Sequence, residues 1–213
     1  MPAGRARGRL PHRARLAGFS LIELLVGISV LGVLLALALP AFSDWIRNNQ
    51  IRVVAESLRE GLQLARSEAV KRNARVRLQL VSTLDNSCTL SASGPYWIVN
   101  VGASVSPAGA CASAAGGSAS PFVVQASPAT AAATRVTVSI VPATAVIAFD
   151  ASGRLVATQN PTTGVAVNRI DISMPGGCFP SGTVRCLRLL VFPAGEVRMC
   201  DPSQTAVTDP TRC

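Results

Sequence analysis

Gly18-Phe19-Ser20-Leu21-Ile22-Glu23 runs directly into twenty residues without a charge, Leu24 to Ser43. In an α-helix such a run is about 30 Å long, the thickness of a bilayer's hydrocarbon core. Five arginines precede it, at positions 5, 7, 9, 13 and 15, with no acidic residue among them. Positive charge on that side holds the N-terminus in the cytoplasm and sends the remainder outward. One carboxylate, Glu23, stands at the start of the apolar region. An ionisable group there is costly and is usually kept for a definite partner.

Three explanations compete for this segment. A secretory signal peptide would be cut after its apolar core, and Ala36, Ala38 and Ala41 could mark such a site. Its core, however, is usually only about 7–15 residues long. An uncleaved anchor explains the length but not Glu23. The third explanation comes from likeness. Gly18-Phe19-Ser20-Leu21-Ile22-Glu23-Leu24-Leu25 closely resembles the type IV prepilin family, whose peptidase cuts after the glycine of a G-F-[ST]-L-I-E-L-L motif. The resemblance implies that residues 1–18 are a cleaved leader and that Phe19 becomes a methylated N-terminus. Residues 19–43 then stay on the protein as a transmembrane and filament-core helix. Pro40 matches the proline this family carries near the end of the run, as a kink or as a helix end.

Cleavage would create an ammonium group at Phe19, and a buried charge needs an opposite one close by. The carboxylate of Glu23 can pair with the new terminus of a neighbouring subunit and set the register of packing. Alternatively, Glu23 reaches the headgroups while the subunit waits in the membrane.

Composition narrows the chemistry. Without the leader's five arginines the formal charge falls from +9 to +4, leaving 15 basic and 11 acidic residues. The only histidine, His12, lies in the leader, and the only lysine is Lys71. A mature chain without imidazole has no histidine for a triad, a metal site or a proton shuttle. Ser67 and Lys71, four apart in a charged helical stretch, read as surface residues rather than a catalytic dyad. No phosphate-binding glycine loop occurs. The sequence points to a non-enzymatic protein without cofactor, metal or small-molecule substrate.

Cys88, Cys111, Cys178, Cys186, Cys200 and Cys213 contain no CxxC pair, so disulfides are favoured over zinc in an exported domain. Short loops close at lower entropic cost, which favours Cys88–Cys111, Cys178–Cys186 and Cys200–Cys213. Cys186–Cys200 across a hairpin is the competing arrangement.

Residues 44–213 make one periplasmic α+β domain. A helix is expected over 44–73, where Val54, Leu58, Leu62, Ala65 and Ala69 draw one apolar stripe, with Arg52, Arg59 and Arg66 along another face. The sheet region spans 75–200. Alternation in Arg75–Leu80 predicts a half-buried strand, and further strands are expected at Tyr96–Val101, Arg135–Val141, Ala145–Phe149, Arg154–Ala157, Arg169–Ser173, Val184–Phe192 and Glu196–Cys200. Asp150-Ala151-Ser152-Gly153 and Pro193-Ala194-Gly195 read as turns. The uncharged Ala/Ser/Gly stretch 102–121 reads as a loop. That loop and the tail 201–213 should be the least ordered parts. The expected fold is a long N-terminal helix, half membrane-spanning and half amphipathic, packed on an antiparallel sheet.

Further pieces narrow the likeness. Leu62-Gln63-Leu64-Ala65-Arg66-Ser67-Glu68-Ala69-Val70-Lys71-Arg72-Asn73 resembles the helix end of the GspH/FimT group. Trp97-Ile98-Val99, Ile147-Ala148-Phe149 with Gly153-Arg154, and Cys186-Leu187-Arg188 with Gly195-Glu196-Val197-Arg198-Met199-Cys200-Asp201-Pro202 follow the same pattern. This resemblance implies a minor pilin at the tip or initiation complex of a type IV pilus, a setting the C-terminal pattern favours. The alternative is a minor pseudopilin of type II secretion. Either has the prepilin peptidase/methyltransferase, other pilins and the inner membrane as partners, followed by residence in the filament.

Some FimT-like members bind DNA through a G-R-x-R motif, which makes a DNA receptor of natural transformation a third possibility. Here the matching stretch is Gly195-Glu196-Val197-Arg198, with a glutamate in place of the first arginine. Arg185, Arg188, Arg198 and Arg212 are the candidate DNA contacts, although Arg185 and Arg188 differ in parity and a regular strand would turn them to opposite faces. From Arg135 onward seven arginines face five acids, so only weak, nonspecific binding is expected.

Overall fold

The computed structural model describes residues 20–116, 119–157 and 167–213. The leader and the Gly18–Phe19 junction lie outside them. The chain divides into two compact units, Met1–Phe42 and Ser43–Cys213. One helix, α1 (Leu21–Arg72), supplies the described part of the first unit and the opening element of the second, and it continues past Pro40.

In the first unit, Ser20 caps α1. Its hydroxyl accepts a hydrogen bond from the Glu23 amide at 3.2 Å, and its carbonyl accepts one from the Leu24 amide. Serine at the cap and glutamate three residues on is the capping-box spacing. From Leu21 to Leu39 every large apolar side chain is more than half exposed, so this stretch has no core of its own.

In the second unit α1 lays its stripe on the core. Val54, Leu58, Leu62, Ala65 and Ala69 are buried, with Ile51 and Ala55 beside them. Gly61 lets the helix approach closely, since a β-carbon there would come within 2.9 Å of Leu78 and Trp97 side-chain atoms. The helix ends at Arg72, one residue before the expected boundary. Asn73 turns left-handed (φ 47°), and the amides of Asn73 and Ala74 donate to the carbonyls of Val70 and Ala69. This is a Schellman motif, with asparagine in the position glycine usually takes.

Nine strands follow among the described residues, in two antiparallel sheets rather than one. The first sheet runs β3 (Val123–Ala126), β2 (Tyr96–Val101), β1 (Val76–Val81), β5 (Val146–Phe149), β6 (Leu155–Val156); the second runs β4 (Thr137–Val141), β7 (Arg169–Ser173), β8 (Leu187–Val191), β9 (Val197–Cys200). Inward residues of both, among them Leu78, Trp97, Ile147, Val138, Ile170, Ile172 and Leu189, share one core with the helix stripe. The expected strands are present, β2 and β7 with the expected ends, β1 one residue further along, and the others shortened. β3 is an addition, and it joins β2 with a register shift at Val99/Asn100.

The reading of β1 as half-buried is corrected. Arg77 and Gln79 on its outer face are fully buried, as is Asn100 on β2. The cover is the chain after β2, held by the Cys88–Cys111 disulfide. One carbonyl, Val105 O, accepts from Arg77 Nη1 (3.0 Å), Gln79 Nε2 (2.8 Å) and Asn100 Nδ2 (3.1 Å). Buried polar groups must find partners, and a loop with few side chains supplies them from its backbone. The Ala/Ser/Gly stretch is therefore anchored at points, with Pro107, Cys111 and Pro121 buried, while most of its other described residues are exposed.

The tail is tied as well. Cys200 bonds Cys213, the Asp201 amide donates to Thr211 O, and Asp209 accepts from the amide and hydroxyl of Thr211. Those bonds, the Thr211 hydroxyl first, hold the Asp209 carboxyl below its usual pKa. Cys178 bonds Cys186, so all three disulfides join neighbours in sequence.

Candidate functional site

Two regions carry the residues singled out by sequence. The first is the start of α1. Among the described residues the Glu23 side chain makes no hydrogen bond or ion pair, and it lies beside Leu24, Gly27, Ile28 and Leu31 on an open apolar surface. A β-carbon on Gly27 or Gly32 would meet nothing within 4 Å. The segment thus offers uncovered apolar side chains, two bare glycine positions where another helix can approach, and one carboxylate. The cap formed by Ser20 is a feature that the charge argument overlooks, although the spacing Ser20-x-x-Glu23 is visible in the sequence.

The second region is the arginine set of the second sheet. The β7–β8 register places Asp171 opposite Arg188, and the β8–β9 register places Arg198 opposite Leu190. Residues directly opposite share a face, and so do residues two apart, which brings Arg169, Asp171, Arg188 and Arg198 to the outer face. Asp171 accepts from Arg188 Nε at 2.5 Å and meets Arg169 Nε at 3.0 Å. Arg198 donates to the carbonyls of Pro210 (3.2 Å) and Arg212 (3.1 Å). Arg185 lies apart, in a cleft of about 350 Å³ with Asn48, Arg52, Leu187, Met199, Asp201 and Thr211. Its amide donates to Asn48 Oδ1 at 2.8 Å, while its guanidinium has no partner among the described residues. The structure therefore gathers Arg188 and Arg198, leaves Arg185 by the helix, and commits two of the four candidate DNA contacts to bonds within the chain.

The motif glycine has a structural duty. Gly195 (φ +80°) closes the β8–β9 hairpin, its amide donating to Phe192 O. Arg66 lies over this turn and over the turn at Gly153. Of the arginines spaced by seven, Arg52 pairs with Glu56 at 2.9 Å. Ser67 donates to Leu64 O and Lys71 to Glu68, so the two do not bond each other. Glu68, nearly buried, accepts from Arg72 at 2.5 Å and from Lys71 at 3.3 Å. Its carboxyl is held below its ordinary pKa, chiefly by the Arg72 bond, with burial acting in opposition and Lys71 helping.

Comparison with known proteins fits this layout. The prokaryotic N-terminal methylation motif matches residues 13–39. Fimbrial protein Q of Moraxella bovis is 52% identical over 40 residues, which are 18% of this chain and 26% of that protein. The type IV major alpha-pilin of the same organism is 46% identical over 44 residues, 21% of this chain and 28% of that one. These matches thus span about a quarter of the length of those relatives. Two crystal structures of the type IV minor pilin FimU of Pseudomonas aeruginosa PAO1 are also similar. One is 19% identical with a TM-score of 0.44, over 73% of this chain and 97% of that one. The other is 20% identical with a TM-score of 0.45, over 75% and 94%. The model of type II transport protein GspH matches residues 54–195, most of the second unit. With that match over more than half its length and a methylation motif before it, the chain belongs to the GspH family of pilin-like proteins.

Proposed function

We propose that this chain is a non-enzymatic minor pilin, anchored in the bacterial inner membrane with its domain in the periplasm, then built into the tip or initiation complex of a type IV pilus. Prepilin peptidase cuts between Gly18 and Phe19, and Phe19 is methylated. The observation that carries this reading is the first half of α1, where each large apolar side chain is uncovered and one carboxylate stands near the start. Such a surface needs lipid before assembly and other helices after it. Glu23 then meets the ammonium group of a neighbour's Phe19, because a charge taken from water needs an opposite one.

The test is mass analysis of the N-terminus after membrane extraction. Methyl-phenylalanine at position 19 is the expected result; a chain beginning after Ala38 or Ala41 overturns it. A second setting, the pseudopilus of type II secretion, is favoured by the family description itself. Deletion of the gene separates the two: loss of pili supports the first, and loss of exported proteins with pili intact supports the second. Binding of DNA is a weak accessory property in this reading, since Glu196 repels phosphate and Arg188 and Arg198 are engaged within the chain.

A further inference from the structure

Pro175–Val184 carries no charge, yet it is folded against the most polar turn of α1. Thr183 Oγ1 donates to Asp44 Oδ1 at 3.2 Å, the Arg185 amide donates to Asn48 Oδ1 at 2.8 Å, and Gly176 lies beside Arg47. The Cys178–Cys186 disulfide closes the loop. Within it the Phe179 amide donates to Val184 O, and Gly182 packs on the backbone of Gly177. A loop tied down so thoroughly nevertheless leaves Phe179 54% exposed. Trp45, on the helix turn where the loop docks, is 63% exposed. Arg47 and Arg52 are exposed nearby, partly balanced by Asp44 and Glu56, and the Arg185 guanidinium has no partner among the described residues.

That helix turn begins at the residue after Ser43, where the uncharged run ends. Aromatic side chains at such a boundary sit at headgroup level, and basic side chains beside them meet lipid phosphates. We infer that the Cys178–Cys186 loop, with Trp45, Arg52 and Arg185, is a contact surface for the anionic bilayer, Phe179 entering the headgroup layer and Arg185 binding a lipid phosphate in the cleft beside Asn48. This rests on the reading of Leu24–Ser43 as a membrane span. Incorporation into a filament must release the contact.

The full chain in nanodiscs of phosphatidylcholine, with or without phosphatidylglycerol, tests this by hydrogen–deuterium exchange. Amides of 176–186 should exchange more slowly in the anionic discs. Arg185→Gln should remove about fivefold of that slowing, the effect of one basic group at an anionic surface. Phe179→Ser should speed exchange in both discs, with β7 and β8 unchanged as the measure of intact fold. Equal exchange over 176–186 in both discs and in both variants overturns the proposal. Protection over 24–43 with none over 176–186 removes the loop contact alone; rapid exchange over 24–43 removes the span and the contact together. Arg185→Gln that weakens binding of duplex DNA but leaves exchange in anionic discs unaltered assigns the residue to nucleic acid and overturns the lipid role.

Discussion

A β-carbon built on Gly195 would lie 2.0 Å from the carbonyl oxygen of Gly153. Two turns, one after β5 and one between β8 and β9, are therefore locked face to face, and only glycine permits it. Gly195→Ala adds this clash to a left-handed backbone and should cost at least about 2 kcal/mol. Gly109 is the control: its φ is +77° but nothing lies within 4 Å of its absent β-carbon, so Gly109→Ala should cost only about 1 kcal/mol. Thermal or denaturant unfolding of both variants checks the difference. Equal losses would show that the approach of the two turns is not what requires glycine.

Glu68 should make stability depend on acid. Its carboxyl is depressed by Arg72, so the native state favours the charged form. That contribution is fully present above the ordinary carboxyl value of about 4.5 and is lost as pH falls through the lower native value. Glu68→Gln should thus be less stable than wild type at neutral pH, with the gap closing on acidification. A gap constant with pH would assign the loss to packing.

Replacing Glu23 with valine should leave insertion and the disulfides intact while weakening incorporation among other pilins. The change is favourable in lipid and removes only the charge pair. The cap survives it, because the Ser20 hydroxyl bonds the Glu23 amide and not its side chain. Crosslinking to neighbouring pilins at wild-type yield would show that the carboxylate has no assembly role.

On DNA, Glu196→Arg should convert weak binding into tighter binding, with a salt dependence steeper by about one unit per added phosphate contact. Arg198→Ala should weaken binding and also loosen the tail, since this guanidinium holds two tail carbonyls. Duplex titrations at several salt concentrations read the first effect; exchange over 209–213 reads the second. Unchanged affinity in both variants would move any DNA site away from the hairpin, to the arginine face of α1.

Much of this was legible in the sequence for plain reasons. The stripe from Val54 to Ala69 follows helical period, and all five residues are buried. The separation of Arg185 from Arg188 expected from their parity is found, but Arg185 precedes β8 and is placed by the bond of its amide to Asn48 rather than by strand alternation. What alternation cannot tell is whether a polar face meets water. Arg77 and Gln79 alternate with Val76, Leu78 and Leu80 as a solvated face would, yet they are buried, because the covering group is a backbone carbonyl that no side-chain pattern announces. β3 escapes notice for a similar reason. Its four residues lie among prolines, alanines and serines, and its pairing with β2 is set by distant backbone.

The convergence of Arg77, Gln79 and Asn100 on the Val105 carbonyl has a consequence for exchanging parts between relatives. Transplanting another family member's loop after β2 would take one shared acceptor from three buried side chains on two strands, with Gln79 Nε2 keeping its bond to Asn100 Oδ1, unless the new backbone placed a carbonyl at the same point. Conversely, turning the three positions apolar would leave the native loop with an oxygen and nothing to hold it. Loop and strand face are one cassette, and swaps that respect that boundary should fold where swaps of the loop alone should not.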